Sequence, residues 1–401
     1  MSAVHFRRDF PFFQHHPETV FLDSAATAQK PQAVIDALTR FYAEDCAPVG
    51  RSAYKAARQA DRRYRTARQT IARFLDADAA GIIFTKSATE SANLLARAFA
   101  RPKLCKGKNI VITAWEHNSN YLPWVEICRE SGAELRVARP VSGPDFPVVL
   151  DTLTDEHTVL VSCTAASNVL GDTIPLAEIS ALCRQKQIPL ALDGAQYVAH
   201  HPVDVQTLGC DFLFFSGHKV YGPTGSGVLY VRPELLDEMA PFLLGGGMIC
   251  GDDPECYAPG AGRFEAGSPD TAAFIGLAAA IDYLNTLGRD AICIHEQALA
   301  RQMQDGFRAL SHRVQLLGQP APDASVYTFV CPGAHPFDLA CLLNGHGIAV
   351  RSGKMCAQHL FDALGQPLGG VRASLACYNT AEDLHRFFNG LEDALNRLQR
   401  K

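Results

Sequence analysis

The sequence predicts an α/β fold: a large domain with a mostly parallel sheet covered by helices, joined to a smaller α+β C-terminal domain. Two observations carry this. From about residue 80, short β-branched or aromatic runs alternate with helical patterns, which is the rhythm of a parallel sheet under helices. The order of elements then changes after a long helical pattern at 271–288, and 401 residues, 47% of them hydrophobic, exceed the usual size of one domain.

In chain order the larger domain reads as "GIIFT" followed by helical "ESANLLARAFA", then "KNIVIT", "TVLVSCT" with helical "PLAEISALCRQ", "IPLALDG", "CDFLFFS" and "GVLYV". The pattern at 271–288 reads as a bridge out of that domain. Beyond it come a strand "ASVYTFV", a helix "PFDLACLLNGHG", strands "GIAVRS" and "GVRASLA", and a final helix. In that helix Leu384, Phe387, Phe388, Leu391, Ala394, Leu395 and Leu398 recur at helical spacing, behind Thr380 and Asp383 as a capping-box variant. The larger domain is expected over residues 23–285, and the smaller over 1–22 and 286–401. No internal repeat is visible.

Composition narrows the function. A net charge of −5 with acids and bases interspersed offers no basic stripe for nucleic acid and no polybasic membrane anchor. Thirteen cysteines, an odd number spread singly from Cys46 to Cys377 without zinc-type CxxC pairs, argue for reduced thiols rather than disulfides or a metal site. The first twenty residues lack the apolar core of a secretory signal, and "TAAFIGLAAAIDYL" is interrupted by Asp282 and too short to span a bilayer. The expectation is a cytoplasmic, soluble protein acting on a small molecule, with no nucleic acid and no membrane as partner.

The chemistry begins with "FLFFSGHKVYGPTGSG", where a buried strand runs into Ser216, Gly217, His218 and Lys219. Open α/β sheets place ligands at the carboxyl ends of their strands, so Lys219 is a chemical suspect. "IPLALDGAQ" ends another apolar strand on Asp193, so both side chains emerge at one edge if the strands are parallel neighbours. A salt bridge explains that pair as well as a cofactor does. The alternative is pyridoxal phosphate, which needs a lysine for covalent attachment and an acid beside its ring nitrogen. In "FTKSATESANLLA" a helix opening near Thr89 suits a phosphate dianion, although Thr followed by Glu is also an ordinary helix start. His117, in "AWEHNSN", follows another strand end. Cys356, in "RSGKMCAQ", sits beside Lys354, a cation that would favour the thiolate, whereas the other cysteines read as packing residues.

Together, "FLDSAATAQKP", "EHNSN", "SNVLG", "DGAQ", "SGHKVYGPTGSGVLY", "RFEAGSPDT", "GIAVRSGKMCAQ" and "RASLACYNT" occur in the order and approximate spacing of the class V aminotransferase superfamily. The chain most resembles its group II cysteine desulfurases and selenocysteine lyases, over nearly its whole length. The resemblance implies a fold-type I enzyme with pyridoxal 5'-phosphate on Lys219. It implies that Asp193 partners the ring nitrogen, Gln196 bonds the ring's phenolic oxygen and His117 stacks on the ring. Thr89, Ser216 and His218 would hold the phosphate, with Ser268 reaching in from a second subunit of a homodimer. Arg372, helped by Asn168 and with Arg351 nearby, would bind the substrate carboxylate.

By the same resemblance, L-cysteine would displace Lys219, which would then act as base at the α carbon, and the Cys356 thiolate would take the substrate sulfur as a persulfide. Alanine would leave, and the sulfur would pass to an acceptor protein or small thiol. This chain departs from the family pattern at Met355 and Gly50, where relatives usually carry histidine, the latter just before Arg51. Ala88 stands where a hydroxyl residue is common, and "GGGMICGDDPECYAPGAGRFEAG" is shorter than expected. The implied activity is therefore cysteine desulfurase. The other readings are selenocysteine lyase, another class V lyase, aminotransferase or epimerase that does not use Cys356, and a non-catalytic partner of a desulfurase.

Overall fold

The computed structural model describes residues 4–50, 53–139, 143–251, 253 and 256–399. Arg51, singled out above for its neighbour Gly50, lies outside them. In chain order the strands are β1 (Val20–Phe21), β2 (Ile82–Thr85), β3 (Asn109–Thr113), β4 (Glu134–Ala138), β5 (Thr158–Thr164), β6 (Leu190–Asp193), β7 (Phe212–Ser216) and β8 (Gly227–Val231). They continue with β9 (Gln315–Leu316), β10 (Val326–Val330), β11 (Ile348–Ala349), β12 (Arg351–Gly353) and β13 (Gly370–Ser374).

By internal contacts the chain divides into two compact units. The larger holds residues 33–165 and 174–283, and the smaller holds 1–32, 166–173 and 284–401. Residues 23–32 and the excursion 166–173, grouped by the sequence with the larger domain, thus pack within the smaller unit. The change of unit after Tyr283 falls inside the helix Thr271–Leu287, the element read as a bridge.

The larger unit is built on a seven-stranded sheet of order β2-β8-β7-β6-β5-β3-β4. β8 runs antiparallel to both its neighbours and the other pairs are parallel. β3, β6, β7 and β8 are buried along their full length, which is why they read as unbroken apolar runs. β4 is the strand the sequence reading missed: it lies at the sheet edge, its first residue is exposed, and its "ELRVA" carries two charges. Parallel pairing brings the carboxyl ends of β3, β5, β6 and β7 to one edge, and the residues that follow those ends carry the chemistry.

The smaller unit has a four-stranded antiparallel sheet of order β12-β13-β10-β9 and a parallel pair, β1 with β11. "GIAVRS" therefore supplies two short strands in two different sheets. Helices Arg289–Ala309, Pro336–Gly345 and Ala381–Gln399 contribute to its core with the strands. The first of these was passed over in the sequence, although Ile292, Glu296, Leu299, Ala300, Met303 and Phe307 recur on its buried face. In the final helix, Leu384, Phe387, Leu391, Ala394 and Leu395 are buried, and Phe388 and Leu398 pack against them. Its start is capped reciprocally. Thr380 Oγ1 accepts the Asp383 N–H (3.2 Å), and Asp383 Oδ2 accepts the Thr380 N–H (3.1 Å).

Candidate active site

In the larger unit the predicted cofactor residues gather at the carboxyl edge of the sheet. Asp193 ends β6, is buried, and accepts the Ala195 N–H at 2.9 Å. Burial pushes its pKa up, while that hydrogen bond and the positive charge of Lys219 oppose the shift. Lys219 closes a short helical turn after β7. That turn is tied down by the Gly217 N–H to Ser226 O (2.7 Å) and by the Val220 and Gly222 N–H groups to Gly217 O (2.9 Å each). Gln196 is buried in the turn after β6, and His218 is half-buried beside the lysine.

The loop before the helix Ala88–Leu95 leans on the same edge. Ser216 Oγ accepts the Ala88 N–H at 2.8 Å, which joins the first residue of that helix to the end of β7. A Cβ at Gly227, the register partner of both Thr85 and Ser216, would come within 2.4 Å of Ser87 N, so only glycine permits this approach. Thr89 is exposed in the first turn, and its hydroxyl lies 2.7 Å from Ser119 Oγ. Ser119 in turn holds His117, whose Nδ1 accepts the Ser119 N–H (3.1 Å) and lies 3.0 Å from the Ser119 hydroxyl. Accepting that N–H places the ring proton of a neutral His117 on Nε2. Ser119 was quoted in the motif "EHNSN" but given no role; nothing in one sequence distinguishes it from a loop serine.

These groups fit pyridoxal phosphate. A buried carboxylate suits a protonated ring nitrogen, a lysine reaches the same edge, and a helix start with hydroxyl side chains suits a phosphate dianion. Ser268 stands apart, exposed in a cleft of about 1090 Å³ lined also by Gly50, Arg68, Gly246 and Glu265. Its loop is anchored by Glu265, which takes a bidentate pair from Arg68 (2.8 and 2.7 Å) and the Phe84 N–H of β2 (2.7 Å).

The smaller unit gathers Arg372, Arg351, Asn168 and Cys356, together with Asp23, to which the sequence assigned no role. Arg372 is 3% exposed on β13. Its Nη1 donates to Asn168 O (3.0 Å), its Nη2 to Asp23 Oδ1 (3.3 Å), and its buried Nε has no hydrogen-bond partner among the described residues. Burial lowers its pKa to about 10, against the pull of Asp23. Arg351, its register partner on β12, is exposed and grips Asp23 through Nε (3.1 and 3.2 Å) and Nη2 (2.8 Å). Two guanidinium groups share one carboxylate, which leaves a net positive charge.

Asn168 links two parts of this unit. Its carbonyl accepts from Arg372, while its Nδ2 donates to Met355 O (2.9 Å), so it joins the buried arginine to the loop of Cys356. That loop is a tight turn closed by the Ala357 N–H to Lys354 O (2.8 Å), with Met355 (φ 48°) and Cys356 (φ 54°) both left-handed. Two consecutive non-glycine residues in this region store about 1–2 kcal/mol each. The turn exposes Cys356. Lys354, the cation the sequence suggested beside the thiol, is occupied by Asp362 (3.0 Å). Arg351 and Arg372 each interact electrostatically with Cys356.

The class-V aminotransferase family matches residues 20–387, and the chain belongs to that family of pyridoxal-phosphate-dependent enzymes. It is 42% identical to a cysteine desulfurase of Klebsiella pneumoniae over 98% of both chains. Among solved structures it is similar to the Escherichia coli cysteine desulfurase CsdA, in an S-sulfonic acid form, with 35% identity, 99% of both chains covered and a TM-score of 0.91. It is also similar to the apo cysteine desulfurase of Thermococcus onnurineus NA1, with 33% identity, 98% of this chain and 97% of that one covered, and a TM-score of 0.92.

Proposed function

We propose that this chain is a cysteine desulfurase that uses pyridoxal 5'-phosphate to convert L-cysteine to L-alanine, taking the sulfur on Cys356. The observation that carries the reading is the Cys356 turn: an exposed thiol on a left-handed turn, held by Asn168 and interacting with two arginines. A packing cysteine needs neither the strain nor the exposure.

When bound, the cofactor supplies an electron sink that acidifies the substrate's α carbon. Lys219 would hold the cofactor and, when its amine is free, would move the α proton of the substrate. Asp193, ionised, would keep a proton on the ring nitrogen, Gln196 would donate to the phenolic oxygen and His117 would stack on the ring. Thr89, Ser216, His218 and the start of the helix Ala88–Leu95 hold the phosphate. Arg372 binds the substrate carboxylate, with Arg351 adding charge and Asn168 fixing the arginine and the Cys356 loop relative to one another. The Cys356 thiolate attacks the substrate sulfur; as the sulfur–sulfur bond forms, the carbon–sulfur bond breaks with its electron pair left on the substrate carbon, which takes up a proton to become alanine, and the enzyme-bound sulfur then passes to an acceptor protein or thiol. A homodimer in which Ser268 completes the partner's phosphate site, and a cytoplasmic location suited to thirteen free thiols, belong to the same proposal.

Cys356→Ala tests it. The variant is expected to keep the yellow colour of bound cofactor while alanine release falls roughly a thousandfold or more, as when a nucleophile is removed. Unchanged alanine release would move the chemistry away from this thiol.

A further inference from the structure

Glu116, the residue before His117, has no part in the reaction described above, yet it is 1% exposed. Its Oε1 accepts the hydroxyl of Thr113, the last residue of β3, and the N–H of Thr164, the last residue of β5 (2.9 Å). Its Oε2 accepts from Asn120 Nδ2 (2.6 Å). Asn120 is itself oriented, because its Oδ1 accepts from Trp124 Nε1 and Ser162 Oγ, both at 2.8 Å. Thr164 is the register partner of Asp193 on the adjacent strand. One buried carboxyl thus ties two strand ends to the loop of His117, beside the strand that ends on Asp193.

We propose that Glu116 is a positioning residue for the cofactor, locking the His117 loop onto the strand ends and serving, by its charge, as an acid neighbour of Asp193. The inference rests on the pyridoxal phosphate reading of this site. The titratable groups that interact with Glu116 are Asp193 on β6 and Cys163 on β5, and Lys219 reaches the pair through Asp193. Burial first, and then the negative charge of Asp193, push its pKa up to about 8, against three hydrogen-bond donors that favour the ionised form. The Thr113 hydroxyl can donate to the ionised carboxylate or, rotated, accept from the protonated one, so the group can titrate within its pocket. Ionisation of Glu116 adds negative charge beside Asp193 and strengthens the hold on a protonated ring nitrogen.

Pyridoxamine phosphate, which has the same ring but no aldehyde to join Lys219, is the probe. Its dissociation constant for the native protein is expected to fall roughly fivefold to tenfold as pH rises through 8, an effect set by one added buried charge. In Glu116→Gln that inflection is expected to vanish. A variant that merely loosened the loop would weaken binding equally at every pH. An unchanged inflection in Glu116→Gln would overturn the proposal. Should that variant fail to fold, Thr113→Val removes a donor to the ionised form and is expected to move the inflection to higher pH; an unmoved inflection would again overturn it. Pyridoxamine phosphate binding with no pH dependence in the native protein would sink this inference alone, whereas no binding at any pH would sink the cofactor reading with it.

Discussion

Among the described residues the buried Nε of Arg372 has no hydrogen-bond partner, and an unsatisfied buried donor costs about 1–3 kcal/mol. In the proposed reading this guanidinium binds the substrate carboxylate. Lysine in its place has no planar fork and cannot reach both Asn168 O and a carboxylate in the same way. Arg372→Lys is accordingly expected to raise KM for L-cysteine about tenfold, equivalent to about 1.4 kcal/mol, while the bound cofactor keeps its colour. Steady-state kinetics with an absorbance spectrum checks both parts. At this scale Lys219 and Asp193 drew notice by residue type and by position at the ends of buried strands, whereas Cys356 and Arg372 were singled out through the motifs around them. The sequence was silent about Asp23, Ser119 and Glu116, common residues whose importance comes from what the fold brings against them. Lys354 is the reverse case, since adjacency in sequence suggested a partner for Cys356 that the turn directs instead to Asp362.

Elements that announce themselves by period or composition were read correctly, and those that fail to do so were not. The buried strands and the final helix carry strong patterns, and the Thr380–Asp383 cap closes at the predicted position. β4 has an edge strand's charged composition, and "GIAVRS" looks like one strand because nothing local reveals that its two halves pair in different sheets. The cap gives a clean test at this scale. Thr380→Ala removes one capping bond and is expected to cost about 1 kcal/mol, seen as a lower Tm, with alanine release per bound cofactor unchanged. The buried carboxyl of Glu116 gives another. Its folded pKa of about 8 lies above the ordinary value of 4.5, so folding takes up a proton between those limits. The apoprotein should therefore lose stability as pH rises from 4.5 through about 8, a slope that Glu116→Gln flattens in urea titrations at several pH values.

At the scale of the whole molecule, the two units divide the proposed labour. The larger presents the groups that would hold the cofactor, and the smaller presents the carboxylate site and the thiol. Residues 23–32, 166–173 and 284–285, which the sequence reading grouped with the larger domain, pack within the smaller unit, because their affiliation depends on packing rather than on local pattern. Ser268, exposed in its cleft, is the residue that the proposed homodimer would contribute to the partner's phosphate site. Size-exclusion chromatography with light scattering is expected to give twice the chain mass, and Ser268→Ala is expected to weaken cofactor retention without dissociating that dimer. A cofactor-saturated monomer would contradict the shared phosphate site.

The central claim is that sulfur leaves its substrate onto Cys356, and the most direct measurement is the mass of the peptide carrying that residue after brief exposure of the purified protein to L-cysteine. We expect the mass of one additional sulfur atom on Cys356, removed by a reducing thiol, together with alanine in solution. Alanine formed while Cys356 stays unmodified at every time point, with the sulfur appearing on another cysteine or only as free sulfide, would contradict the account.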